Sequence, residues 1–148
     1  MDIGTLCYTA RMKFCRWQFY FFAGLGFFVM VADGVIKRIV PDAMINGHLA
    51  WGIPLPFSPF VLLILLMLCA ILFGEQSILA YRRGEWFSAT AWLWLQLGTI
   101  GNFLDRWRLG GVVDYLPFLT WTKFNLSDTL IVAGIALLLL RERHGIFK

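Results

Sequence analysis

Four long runs without a charged side chain dominate this chain, at 17–32, 57–74, 86–104 and 129–140. A helix rises about 1.5 Å per residue, so crossing about 30 Å of hydrocarbon takes roughly 20 apolar residues. The second and third runs nearly reach that length alone. The first extends past Asp33, and the last reaches back through "FNLSD" at 124–128. The expected spans are therefore about 17–36, 57–75, 86–104 and 124–141 of a single domain, 1–148. The expected fold is an all-α membrane protein with four transmembrane helices and a small loop region over one end.

Composition agrees with that patterning. Hydrophobic residues make up 59% of the 148 residues and charged residues 15%, against roughly 45–50% apolar in soluble domains. The net charge of +4 does not suggest nucleic acid, because the basic residues stand singly or in pairs between apolar blocks and form no stripe.

Their placement sets a topology instead. The amino-terminal segment, a loop expected at 75–85 and the carboxy-terminal tail hold Arg11, Lys13, Arg16, Arg82, Arg83, Arg141, Arg143 and Lys148. The other side holds Lys37, Arg38, Arg106, Arg108 and Lys123. That excess puts both termini in the cytoplasm. The basic start resembles a signal peptide, but the apolar run continues into Asp33 without a clear small-residue cleavage site, so a retained span is expected.

Asp33, Asp42, Asp105, Asp114 and Asp128 then all fall on the outer side. Trp51, Trp107 and Trp121 beside them read as interfacial anchors. Gly24, Gly26 and Gly134 read as helix-packing positions. Cys7, Cys15 and Cys69 form no metal-binding spacing, and Cys69 reads as a small buried thiol.

Charge at the edge of a span is costly, which makes each of these aspartates a functional candidate. Each also has a structural reading. Asp128 and Ser127 could cap a helix, Asp105 could pair with Arg106 or Lys37 to offset the helix dipole, and Asp33 could sit in water. Two carboxylates brought close can share a proton, one serving as acid while the other activates water. A serine or cysteine mechanism would need a base, and the histidines, His48 and His144, fall in the first outer loop and the cytoplasmic tail. Clustered aspartates could also hold Mg²⁺ or Ca²⁺.

"GNFLDRWRLGGVVDY" at 101–115, followed by "FNLSD" at 124–128, resembles the lipoprotein signal peptidases (signal peptidase II), four-span aspartic proteases of the bacterial inner membrane. Asp33 with Lys37 four residues later, and "NGHLAWG" at 46–52, add to the resemblance. It implies that Asp114 and Asp128 are the catalytic dyad. Asn102, Arg106 and Asn125 match positions that line the site and bind substrate. Asp33, Lys37 and Asp105 match supporting positions, and Asn46 matches the polar residue of the first outer loop.

This chain departs from the family pattern at several places. Gly34 stands where Gln is usual, Ser127 where Ala is usual, and His48 and Leu49 where Gly-Ala is usual. The resemblance implies cleavage of diacylglyceryl-modified prolipoproteins before the lipidated cysteine, by an enzyme that meets its substrate in the lipid; a monomer is expected because no polar zipper or long small-xxx-small interface is evident. It implies no metal and no cofactor. The alternative is a non-catalytic relative that binds lipidated peptides or a membrane partner. A transporter fits less well, because the aspartates lie near the outer ends of the spans and no internal repeat is visible.

Overall fold

The computed structural model describes residues 3–40, 43–47, 58–118 and 122–146. Its main elements are four helices: α1 (Ile3–Ile39), α2 (Pro59–Arg82), α3 (Trp86–Leu109) and α4 (Leu126–Ile146). Two of them, over Arg16–Ile39 in α1 and Pro59–Arg82, are long and apolar enough to cross a membrane. His48, Leu49, Asp42, Trp51 and Trp121 lie outside the described residues, as do the side chains of Cys7 and Cys15.

Local chemistry sets the helix ends. Ser58 accepts a hydrogen bond from the Val61 N–H and Pro59 opens α2, the pairing expected of a first helical turn whose N–H groups lack partners. The sequence reading placed a loop at 75–85; instead α2 continues to Arg82. A short turn through Gly84, at φ 74°, then leads directly into α3. Gly110 ends α3 in the left-handed region at φ 73°, where the absence of a Cβ removes the steric penalty.

α3 is the central helix and packs against α1, α2 and α4. Close approach depends on small residues, the usual basis of helix packing where water supplies no hydrophobic force. A Cβ added at Gly98 would collide with the Ser127 carbonyl, and one at Gly134 would lie 2.8 Å from the Ala91 carbonyl. Gly26 receives the Trp94 ring in the same way, and the indole N–H donates to the Phe22 carbonyl at 2.9 Å. Gly24 differs from expectation, since nothing lies within 4 Å of its would-be Cβ. Cys69 is half-buried, not enclosed.

Polarity is inverted relative to a water-soluble bundle. Asp33, Ser77, Ser88, Thr90, Thr99 and Asn102 are buried, while Phe21, Phe28, Phe60, Ile71, Val132 and Leu139 face outward. Several of the buried hydroxyls are satisfied within the protein: Ser77 donates to Ala89 O at 2.8 Å and Thr99 to Leu95 O at 2.7 Å. An apolar exterior around a hydrogen-bonded interior is the arrangement a hydrocarbon solvent favours.

Above one end of the bundle the loop region forms two short ladders. β1 (Met44–Asn46) runs antiparallel to β2 (Val112–Asp114), with Met44 opposite Asp114 and Asn46 opposite Val112. β3 (Leu116–Phe118) pairs with β4 (Thr122–Phe124), Leu116 opposite Phe124. This hairpin folds the chain back on itself, so the end of β2 returns beside the start of α4. The sequence reading anticipated a loop here but no strands.

Candidate active site

Every site residue expected from the sequence belongs to one cluster where the ends of α1, α3 and α4 meet the ladders. Asp114, at the end of β2, is 5% exposed. Asn46 and Asp114 lie diagonally on the same face of the β1–β2 ladder, close enough for a side-chain contact. The Asn46 amide accordingly donates to Asp114 Oδ2 at 3.2 Å. The other carboxylate oxygen accepts from the Asn125 amide at 2.8 Å.

Asn125 is fully buried and caps α4. Its Oδ1 accepts from the Asp128 N–H at 2.9 Å, and Asp128 Oδ2 in return accepts from the Asn125 N–H at 3.3 Å. This is a reciprocal capping box, which satisfies two otherwise free donors at a helix start. The cap is therefore Asn125, where the sequence reading considered Ser127 and Asp128. Asp128 keeps its other oxygen for Asn102 of α3, whose amide donates at 2.7 Å. The Asn102 carbonyl oxygen is buried beside it without a partner.

A second carboxylate holds this end of α4 from below. Asp33 of α1, 1% exposed, accepts from the Leu126 N–H at 3.1 Å and the Ser127 hydroxyl at 2.6 Å. It also accepts from the Tyr115 hydroxyl at 2.8 Å. Asp33 is thus fully engaged inside the protein, contrary to the alternative that it sits in water. A negative charge beside free N–H groups at a helix start is favourable. Lys37 approaches Asp33 at 2.6 Å and Asp105 at 2.7 Å. Both contacts are ion pairs.

Asp105 Oδ2 also accepts from the Val113 N–H at 3.2 Å. It therefore ties the end of α3 to β2, and Lys37 supplies the cation needed near a helix C-terminus. Arg106 lies within electrostatic range of Asp114, Asp128 and Asp105. Burial pushes the Asp114 carboxyl above the ordinary carboxylate range, against the opposing pull of the Asn46 and Asn125 amides. Asp128 adds to the rise by like-charge repulsion. Burial, with the Asp33 contact, likewise raises the Tyr115 phenol.

Two of the contacts to Asp33 were not anticipated. Tyr115 is eighty-two positions from Asp33, a separation that carries no local signal. Ser127 was noted as a departure from the family pattern. Its hydroxyl turns to Asp33 and packs directly against Gly101, where any Cβ would collide with it.

Two carboxylates held by amides, Asp114 buried and Asp128 half-buried, with a cation near by, are equipped to share a proton and activate water. Residues 25–143 match the family described as Signal peptidase (SPase) II. The chain is 56% identical over 123 residues to the lipoprotein signal peptidase of Pelotomaculum thermopropionicum, covering 74% of each. With that of Halothermothrix orenii it shares 56% identity over 43 residues, a match spanning 30% of that protein's length. A bacterial membrane enzyme structure solved by the in meso method superposes with a TM-score of 0.69 at 22% identity, covering 86% of this chain and 88% of the other, which establishes likeness of fold. The match over most of the chain makes it a membrane protein of the signal peptidase II family.

Proposed function

We propose that this protein is a membrane-embedded aspartic endopeptidase that removes signal peptides from diacylglyceryl-modified prolipoproteins, cutting before the lipidated cysteine. The observation that carries the reading is the bridge through Asn125, which holds Asp114 and Asp128 in one polar site. The four helices cross the bacterial cytoplasmic membrane with both termini inside. The site sits near the outer face, where a lipidated cysteine arrives from the hydrocarbon.

In this mechanism Asp114 and Asp128 share one proton. The ionised carboxylate takes a proton from water as its oxygen attacks the scissile carbonyl carbon, and the protonated carboxyl donates to the carbonyl oxygen. Collapse of the tetrahedral intermediate breaks the C–N bond, and a proton passes to the departing amine of the cysteine. Asn46, Asn102 and Asn125 fix the carboxylates in place, and Arg106 limits the build-up of negative charge. No covalent intermediate is needed, and the protein acts as a monomer.

The test is incubation of the purified protein in detergent with a diacylglyceryl-modified prolipoprotein, reading both products by mass. Cleavage that leaves the lipidated cysteine as the new amino terminus, with the unlipidated precursor uncut, is expected. Binding of the lipidated precursor without cleavage by the folded protein would contradict the reading.

A further inference from the structure

The half of the bundle opposite the aspartates carries a polar cluster that the hydrolytic chemistry does not use. A groove of about 430 Å³ lies between α1, α2 and α3, lined by Phe19, Gly74, Ile78, Leu93 and Gln96, with Arg82 at the same opening. Tyr20 and Tyr81 also line it, and their hydroxyls share a hydrogen bond of 2.7 Å. The Arg16 guanidinium is hydrogen-bonded to both phenols. Packing of the Tyr81 ring against Phe19 and Trp86, each with centroids 4.9 Å away, holds this rim in place.

We propose that this groove binds an anionic phospholipid, its phosphate held by Arg16, Arg82 and the tyrosine hydroxyls and one acyl chain lying along the apolar wall. Arginine presents several donors in a planar fork that suits phosphate oxygens. Basic pockets between helices on the cytoplasmic side of a membrane are suited to anionic headgroups, and tyrosine belongs at headgroup depth. Glu85 at the same end is paired with Arg141 at 2.7 Å, so its charge is already engaged. The competing occupant is the signal-peptide helix of a substrate. Its basic amino-terminal region would meet two arginines at the same depth, and this repulsion disfavours it.

Lipid retention can be read without substrate, so its outcome is separable from that of the proposed proteolysis. The purified protein is equilibrated in detergent with equal amounts of phosphatidylglycerol and phosphatidylethanolamine, and retained lipid is weighed by native mass spectrometry. Wild-type protein is expected to retain the anionic lipid preferentially. That preference should fall by about 30-fold in the Arg16→Gln/Arg82→Gln double variant, as expected for the loss of two interfacial cations. Tyr20→Phe/Tyr81→Phe, which keeps both charges, should show a smaller loss. Equal retention of the two lipids by wild type would overturn the proposal, and so would an unchanged preference in a folded double variant. The wild-type comparison needs no variant, so it decides the matter even if the arginine substitutions unfold the protein.

Discussion

Asn125 is bonded to both aspartates at once: its amide donates to Asp114 at 2.8 Å while its Oδ1 accepts from the Asp128 N–H at 2.9 Å. One side chain thus starts a helix and orients the proposed dyad. Replacements separate the two roles. Asn125→Ser keeps a capping oxygen but loses the amide donor, so it should retain most of the stability while kcat falls. Asn125→Ala loses both, at a further cost of about 1 kcal/mol for the missing cap. Parallel thermal unfolding and cleavage assays check this. Equal activity in wild type and Asn125→Ser would remove the bridge from the mechanism.

The Asp33–Lys37–Asp105 arrangement is structural, and its loss should be large. Asp33→Ala leaves Lys37 in a buried setting with one partner fewer and strips acceptors from Leu126, Ser127 and Tyr115. Lys37 keeps Asp105 as a partner, so the cost is that of the stripped donors, about 1–3 kcal/mol for each one left unsatisfied. Asp33→Ala/Lys37→Met should recover none of that loss, because it leaves those donors unsatisfied and also takes the cation from Asp105. A double-mutant cycle of unfolding free energies measures the coupling.

Asp114 makes stability depend on pH. Its carboxyl is raised above the ordinary range in the folded protein, so the folded state binds the proton more tightly than the unfolded chain does. The associated stability is fully present below the unfolded value of about 3.9 and is lost as pH rises through the folded value. Asp114→Asn removes this dependence. It should melt higher than wild type near neutrality, with the gap closing in acid. Melting curves across that range test the sign, and an Asp114→Asn variant that melts lower at every pH would contradict it.

Adjacent glycines should respond differently to alanine. At Gly111 a Cβ would stand 2.8 Å from both the Asn46 carbonyl oxygen and Ile45 Cγ2, forcing β1 away from β2. Overpacking of this kind costs about 1–3 kcal/mol, and the displacement of Asn46 from Asp114 should lower kcat as well. At Gly110 nothing lies within 4 Å. Alanine there meets only the left-handed backbone penalty, about 1–2 kcal/mol, and should leave kcat near wild type.

Much of this architecture was legible in the chain because membranes impose simple rules. Uncharged runs located the helices approximately, and "FNLSD" after "GGVVDY" marked where polar groups return to the edge of the bundle. The extension of α2 beyond Glu75 was not legible, since Glu75 and Arg82 interrupt the apolar run without breaking the helix. Nor was the Tyr115–Asp33 contact, because nothing near either residue specifies a partner so distant in sequence. The strands escaped notice because each is only three residues long, too short for alternation to register. Asp105 shows the limit most clearly: the sequence offered Arg106 or Lys37 as its cation, and packing of α1 against α3 brings Lys37 to it at 2.7 Å.

The most direct measurement is single-turnover cleavage of a diacylglyceryl-modified prolipoprotein by wild type, Asp114→Asn and Asp128→Asn, each verified as folded. Shared acid–base chemistry predicts that either substitution alone lowers the rate by at least about 10²–10⁴-fold, with added chelator leaving wild type unaffected. Undiminished cleavage by either variant would contradict the dyad.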